Sequence, residues 1–146
     1  MPVGGVPAPG DELRITSTAA DLARLYPWLH DAAAAHGIPE NVSQAMHVAL
    51  EEAVMNAAMH AYDENAPGVI VVRLGMSPST ATLCVEDRGP EFDPTKATPQ
   101  ALPDSLADAM PGGRGLVLLG HFCRDIAYRR DGEWNLLTLR FPLATG

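Results

Sequence analysis

The stretch PENVSQAMHVALEEAVMNAAMHAYDE, residues 39–64, holds the pattern on which the fold turns. Pro39 suits a first helical position, and the run Asp63-Glu64-Asn65-Ala66-Pro67-Gly68 cannot continue a helix, so one long helix to about Ala61 is expected. At about 100° per residue, Val42, Met46, Ala49, Leu50, Ala53, Ala57 and Ala61 share one broad face, a core stripe. Gln44, His47 and Glu51 fall nearly opposite, toward water. Glu52, Asn56 and His60 succeed one another at four-residue steps and form a row at the border of the stripe, close to Val48 and Met59. The phase therefore separates two adjacent carboxylates: Glu51 points to water, Glu52 toward a partly apolar groove. Such a row is either a plain helix-surface pairing or a site. As a site it offers a carboxylate that can take a hydroxyl proton and, one turn on, an amide oxygen that can hold Mg²⁺ near phosphates.

Outward from this helix, the alternation in Glu12–Ser17 predicts a short strand. Thr18 with Asp21 three residues later reads as an N-cap opening a first helix through Ala35, ended by His36-Gly37. Val69–Gly75 and Thr80–Glu86 are β-branched runs joined by Ser77-Pro78-Ser79, a hairpin pattern. Residues 90–113 are rich in Pro, Gly, Asp and Ala with little periodicity, and a loop of that length in a compact domain is functional or disordered. Gly115–Phe122 is apolar enough for a short helix. Two last strands, about Asp125–Arg130 and Glu133–Phe141, flank Asp131-Gly132, read as a type I′ turn. The order β-α-α-β-β-loop-α-β-β predicts an α+β fold, with helices on one face of a mixed, mostly antiparallel sheet.

The chain has 146 residues, enough for one domain with a real core, and a formal net charge of −8. That charge argues against an electrostatic grip on nucleic acid or anionic lipid. Two cysteines, Cys84 and Cys123, sit among apolar neighbours and read as buried free thiols of a reducing compartment. The Gly- and Pro-rich start is no signal peptide, and no apolar run approaches the ~20 residues of a membrane span. A cytoplasmic protein with a loose tail over 1–11 and one domain over 12–146 is the expectation.

Three separated segments then act together: Glu52-Ala-Val-Met-Asn56-Ala-Ala-Met-His60-Ala-Tyr62, Val85-Glu86-Asp87-Arg88-Gly89-Pro90-Glu91-Phe92-Asp93, and Gly112-Gly113-Arg114-Gly115-Leu116. In this order and at these separations they resemble the N, G1 and G2 boxes of the GHKL ATPases, whose fold is the two-layer α/β sandwich of the Bergerat type. The match covers about residues 12–142. The form of the first box and the small size resemble the anti-sigma-factor serine/threonine kinases. The resemblance implies ATP and Mg²⁺, with Glu52 as general base, Asn56 on Mg²⁺ and Asp87 accepting from the exocyclic amine of adenine. Gly89 would let the backbone approach the base. Gly112, Gly113, Arg114, Gly115 and Leu116 would hold phosphates on bare amides at a helix start, without net positive charge. His60 either contacts the ligand or packs at the helix end, and Thr138 matches a late threonine near adenine.

Two positions depart from the family pattern: Glu91 stands where the second glycine of G1 is usual, and Met55 where a threonine commonly precedes Asn56. No phosphotransfer helix precedes the domain, so a complete sensor histidine kinase is not expected. The implied activity is a serine/threonine protein kinase that switches between a sigma factor and an anti-sigma-factor antagonist, with residues 94–111 as a lid over the triphosphate. The alternative is a module that binds ATP or ADP and controls a partner without phosphorylating it; a purely structural domain with decayed boxes is the third reading. The first helix, with Arg24, Tyr26 and Trp28, is the expected homodimer and partner face, Arg24 lying near the family's partner-contacting arginine.

Overall fold

Alternation and helical period build two layers. The computed structural model describes residues 11–61, 68–93 and 125–143, without the side chains of His60 and Ala61. The strands are β1 (Glu12–Thr16), β2 (Val69–Met76), β3 (Thr80–Asp87), β4 (Asp125–Asp131) and β5 (Trp134–Pro142), and the helices are α1 (Ala19–Leu22), α2 (Leu25–Ala35) and α3 (Glu40–Ala61). They form one five-stranded sheet in the order β1-β2-β3-β5-β4. Every pairing among the described residues is antiparallel, so the parallel pair that a mixed sheet would need is not found among them.

One face of the sheet presents Leu13, Ile15, Ile70, Val72, Leu74, Leu83, Val85, Leu137, Leu139 and Phe141, all buried against the helices. From α3 the stripe Val42, Met46, Ala49, Leu50, Ala53 and Ala57 meets them, joined by Val54, and from α2 come Leu25, Leu29, Ala32 and Ala33. Toward the helices this is the alternation of a sheet packed on one face, although Val71, on the opposite phase, is buried as well. On the other face Arg73 lies 3.4 Å from both Glu12 and Glu86.

The expected first helix is in fact two. Thr18 caps α1, its hydroxyl accepting from the Asp21 amide at 3.3 Å, but the chain breaks at Ala23-Arg24 and restarts at Leu25. Pro27 explains the break. In a continuous helix it would owe a hydrogen bond to Ala23 and press its ring on that carbonyl; in the first turn of α2 its missing N–H costs nothing. At the other end of α2, Gly37 takes φ +67°, and the Ile38 and Gly37 amides return to Ala33 and Ala34 at 3.0 and 3.2 Å. That is a Schellman ending, with Ile38 buried.

Two further expectations shift. Asp11 is not loose tail: its carbonyl accepts from the Leu74 amide at 2.8 Å and its carboxylate meets His36 Nε2 at 3.0 Å. In the β4–β5 turn Asp131 pairs with Trp134, so the loop residues are Gly132 and Glu133. Of these two, only Gly132 has positive φ, at +59°. This is the pattern of a type II′ turn rather than type I′. The tail over 1–10, the lid over 94–111 and the short helix at Gly115–Phe122 lie outside the described residues.

Candidate nucleotide site

A cleft of about 410 Å³, the solvent at its mouth included, opens between α3 and the end of the sheet where β3 finishes and β5 begins. Its walls are apolar (Ala53, Ala57, Val85, Leu137), with Phe92 and Tyr128 adding aromatic surface and Asn56, Asp87 and Asn135 the polar groups. A mostly apolar cleft with a few converging polar atoms is the usual form of a small-molecule site.

At the sheet end, Asp87 is the last residue of β3, on its inward phase and buried. The Gly89 amide donates to Asp87 Oδ1 at 2.9 Å, the short turn that an Asp two residues before a Gly commonly makes. Directly across the ladder from Asp87 stands Asn135, whose Nδ2 donates to the same Oδ1 at 2.9 Å. Asp87 Oδ2 is left as the acceptor free of hydrogen bonds among the described residues, on a side chain that lines the cleft. Arg130 donates to the Gly89 carbonyl at 2.7 Å and ties the β4 strand to this turn. Arg88, beside it, pairs with Glu133 at 2.8 Å and lies over the Trp134 ring.

On α3, Asn56 is 3% exposed, and neither its Oδ1 nor its Nδ2 has a partner among the described residues. A buried polar group left unpaired costs about 1–3 kcal/mol, so two on one amide require a compensating ligand or neighbour. One turn earlier Glu52 is half-buried, with Oε2 enclosed and likewise unpaired, while Glu51 is exposed, as their helical phase predicts. Burial, and then the Glu51 charge beside it, raises the Glu52 carboxyl above the ordinary glutamate range. The orphaned Asn56 oxygen suits Mg²⁺, which takes one or two protein oxygens and completes its shell with phosphates and water. No group of three or more His, Cys, Asp or Glu side chains suited to a metal occurs among the described residues.

The structure thus brings Asn56 and Asp87 to one cleft, with Gly89 bonded to Asp87 beside it and Glu52 a turn along α3 from Asn56. It does not bring Thr138. That side chain lies on the phase of β5 opposite to Asn135 and Leu137, and its hydroxyl meets Cys84 Sγ at 4.0 Å on the face of the sheet away from the helices. Thr138 is therefore no wall of this cleft. Asn135 is the polar β5 residue that is. The His60 side chain and Gly112, Gly113, Arg114, Gly115 and Leu116 lie outside the described residues.

The face of the first two helices also differs in detail from expectation. Arg24 is exposed and lies 3.6 Å from Asp21. Tyr26 is 64% exposed, but Trp28 packs on the core rather than standing out as a surface anchor. His47, expected on the water side of α3, stacks on Tyr26 with ring centres 4.4 Å apart, and burial lowers its pKa. Cys84 is a free thiol, as expected, its pKa pushed up to about 11 first by burial. No helix among the described residues is long and apolar enough to cross a membrane.

Residues 15–141 match the family described as the histidine kinase-like ATPase domain. The chain is 36% identical over 128 residues to the serine/threonine-protein kinase BtrW of Bordetella bronchiseptica, a match covering 88% of this chain and 89% of that protein. It is 31% identical over 85 residues to the serine-protein kinase RsbW of Oceanobacillus iheyensis, across 56% of this chain and 54% of that one. Among solved structures, the RsbU and RsbW domains of a Mycobacterium tuberculosis protein share the fold with a TM-score of 0.64 at 18% identity, over 92% of this chain and 33% of that one. A carboxylate and glycine turn at the strand end, an inward asparagine on the long helix and a family match over nearly the whole length agree: the chain belongs to the histidine kinase-like ATPase domain family, of the GHKL type.

Proposed function

We propose that this protein is an ATP- and Mg²⁺-dependent serine/threonine protein kinase acting as an anti-sigma factor in a partner-switching system. The observation that carries the reading is Asn56: a fully buried amide with both polar atoms unpaired among the described residues, one turn from a half-buried carboxylate and facing an apolar cleft that ends at Asp87. A structural asparagine would have partners; one awaiting a metal–phosphate group would not. In this reading Asp87 and Gly89 take the adenine, Asn56 holds Mg²⁺, and Gly112, Gly113, Arg114, Gly115 and Leu116 take the phosphates. Mg²⁺ bound there would neutralise charge on the transferring phosphoryl group. Glu52 takes the proton of the acceptor serine or threonine as its oxygen bonds to the γ-phosphorus and the bond to the ADP oxygen breaks. The kinase names of the two relatives support the reaction class.

The test is phosphoryl transfer. With γ-labelled ATP and Mg²⁺ added to proteins co-purified from the protein's own cells, label is expected on a small antagonist protein and nowhere without Mg²⁺. Nucleotide binding without any labelled acceptor would replace the kinase reading with the regulatory-module one.

The partners implied are a sigma factor and an anti-sigma-factor antagonist, in the cytoplasm, with the kinase as a homodimer through the first helical segment. Exposed Arg24 and Tyr26 support that face. Arg24→Glu is expected to weaken capture of the sigma factor about tenfold or more, as interface arginines commonly do, with ATP affinity unchanged. Unchanged capture removes Arg24 from the interface, and a monomer by light scattering at micromolar concentration removes the dimer.

A further inference from the structure

The polar network behind Asp87 assigns a role to a residue that no box contains. Asn135 makes five hydrogen bonds of 3.3 Å or less with its one amide. Its Nδ2 donates to Asp87 Oδ1 and the Pro90 carbonyl, both at 2.9 Å, and reaches the Gly89 carbonyl at 3.3 Å. Its Oδ1 accepts from the Tyr128 hydroxyl at 2.6 Å and from Arg130 at 3.2 Å. The orientation of the amide is set by chemistry. A guanidinium only donates and a carbonyl only accepts, so oxygen must face Arg130 and nitrogen must face Gly89, Pro90 and Asp87. Tyr128 reinforces the lock: burial, together with the nearby Glu91 charge, raises its pKa, which keeps the hydroxyl proton in place to donate.

The consequence lies in Asp87. With Oδ1 occupied by two donors, the Gly89 amide and Asn135 Nδ2, the carboxylate cannot rotate to share its oxygens, and Oδ2 alone meets a bound base. A fixed carboxylate oxygen attracts an amino group and repels a carbonyl oxygen, whereas a loose one could turn aside. Resting on the nucleotide reading above, we infer that Asn135 is a positioning residue: held by Tyr128 and Arg130, it fixes Asp87 and so selects purines bearing a 6-amino group over those bearing a 6-oxo group.

The experiment is calorimetric titration of the full chain with ATP and with inosine triphosphate, which differ at that position. The wild type is expected to prefer ATP by about 100-fold, the scale of one lost hydrogen bond to a charged group. Asn135→Leu is expected to cut this ratio about tenfold, by loss of ATP affinity with inosine triphosphate almost unaffected. Tyr128→Phe, which keeps the ring but removes one lock on the amide, is expected to cut it about threefold, and it covers the case in which Asn135→Leu fails to fold. Equal losses for both nucleotides, leaving the ratio unchanged, would make Asn135 mere scaffold and overturn the inference alone. A wild type that binds neither nucleotide would overturn the nucleotide reading and this inference with it.

Discussion

Asp87→Asn is expected to lower ATP affinity by about 100-fold or more, close to 3 kcal/mol, with the fold intact. The substitution changes almost no volume, and its remaining oxygen can still accept from the Gly89 amide and from Asn135, the two bonds that Asp87 Oδ1 makes now. Because those two donors claim the oxygen, the new NH₂ must turn to the position of Oδ2. There it meets the exocyclic amine of adenine, donor against donor. The loss thus combines a charge-assisted bond removed with a repulsion created, which is why it should exceed that of a simple deletion. Calorimetry on the variant measures it, and a thermal melt checks that the sheet holds. Thr138→Val is the control: it removes a β5 hydroxyl on the sheet face away from the helices, beside Cys84, and should leave ATP affinity within about twofold, the usual effect of a substitution remote from a site. Equal ATP affinity in Asp87→Asn and wild type would refute the adenine assignment.

The contrast between Thr138 and Asn135 marks where sequence reasoning fell short. In Trp134-Asn135-Leu136-Leu137-Thr138-Leu139 apolar residues occupy both phases of the strand, so alternation leaves open which phase faces the helices. The resemblance favoured Thr138. The phase of Phe141 and Leu139, buried in the core, selects Asn135 instead. A polar residue in phase with that pair was the available signal. Helix α3 was legible for the opposite reason: seven of its apolar residues hold one 3.6-residue phase over more than five turns, which fixes Glu52 and Asn56 relative to the core without tertiary information. Contacts between elements were beyond reach. Nothing in the local sequence of His47 announces Tyr26, which arrives from α2. The break at Ala23-Arg24 was written in Pro27, but the strong cap at Thr18 and the apolar run after it hid the signal.

Glu52→Gln is expected to abolish phosphoryl transfer, by about 10²–10⁴-fold as for loss of a general base, while nucleotide binding persists. Glu51→Ala should change transfer less than about twofold, because Glu51 is exposed on the neighbouring helical phase and substitutions there are near neutral. The pH dependence carries a second signature. Burial raises the Glu52 pKa above the 4.5 of an exposed glutamate. A base must be ionised to act, so the acid limb of the rate profile should lie above that value. Stability has the opposite pH dependence. A carboxyl whose folded pKa is raised favours its protonated form in the native state, so its stabilising effect is complete in acid and is lost as pH rises through the folded pKa. At neutral pH, Glu52 therefore carries an ionised, partly enclosed carboxylate that opposes folding, and glutamine at this position relieves it. The variant should be inactive yet more stable than wild type at pH 7–8, with the stability gain vanishing toward pH 4. Denaturant titrations at the two pH values separate this from simple misfolding, which would lower stability along with activity. Comparable loss of transfer in Glu51→Ala would remove Glu52 as the base, since only Glu52 shares the row of Asn56.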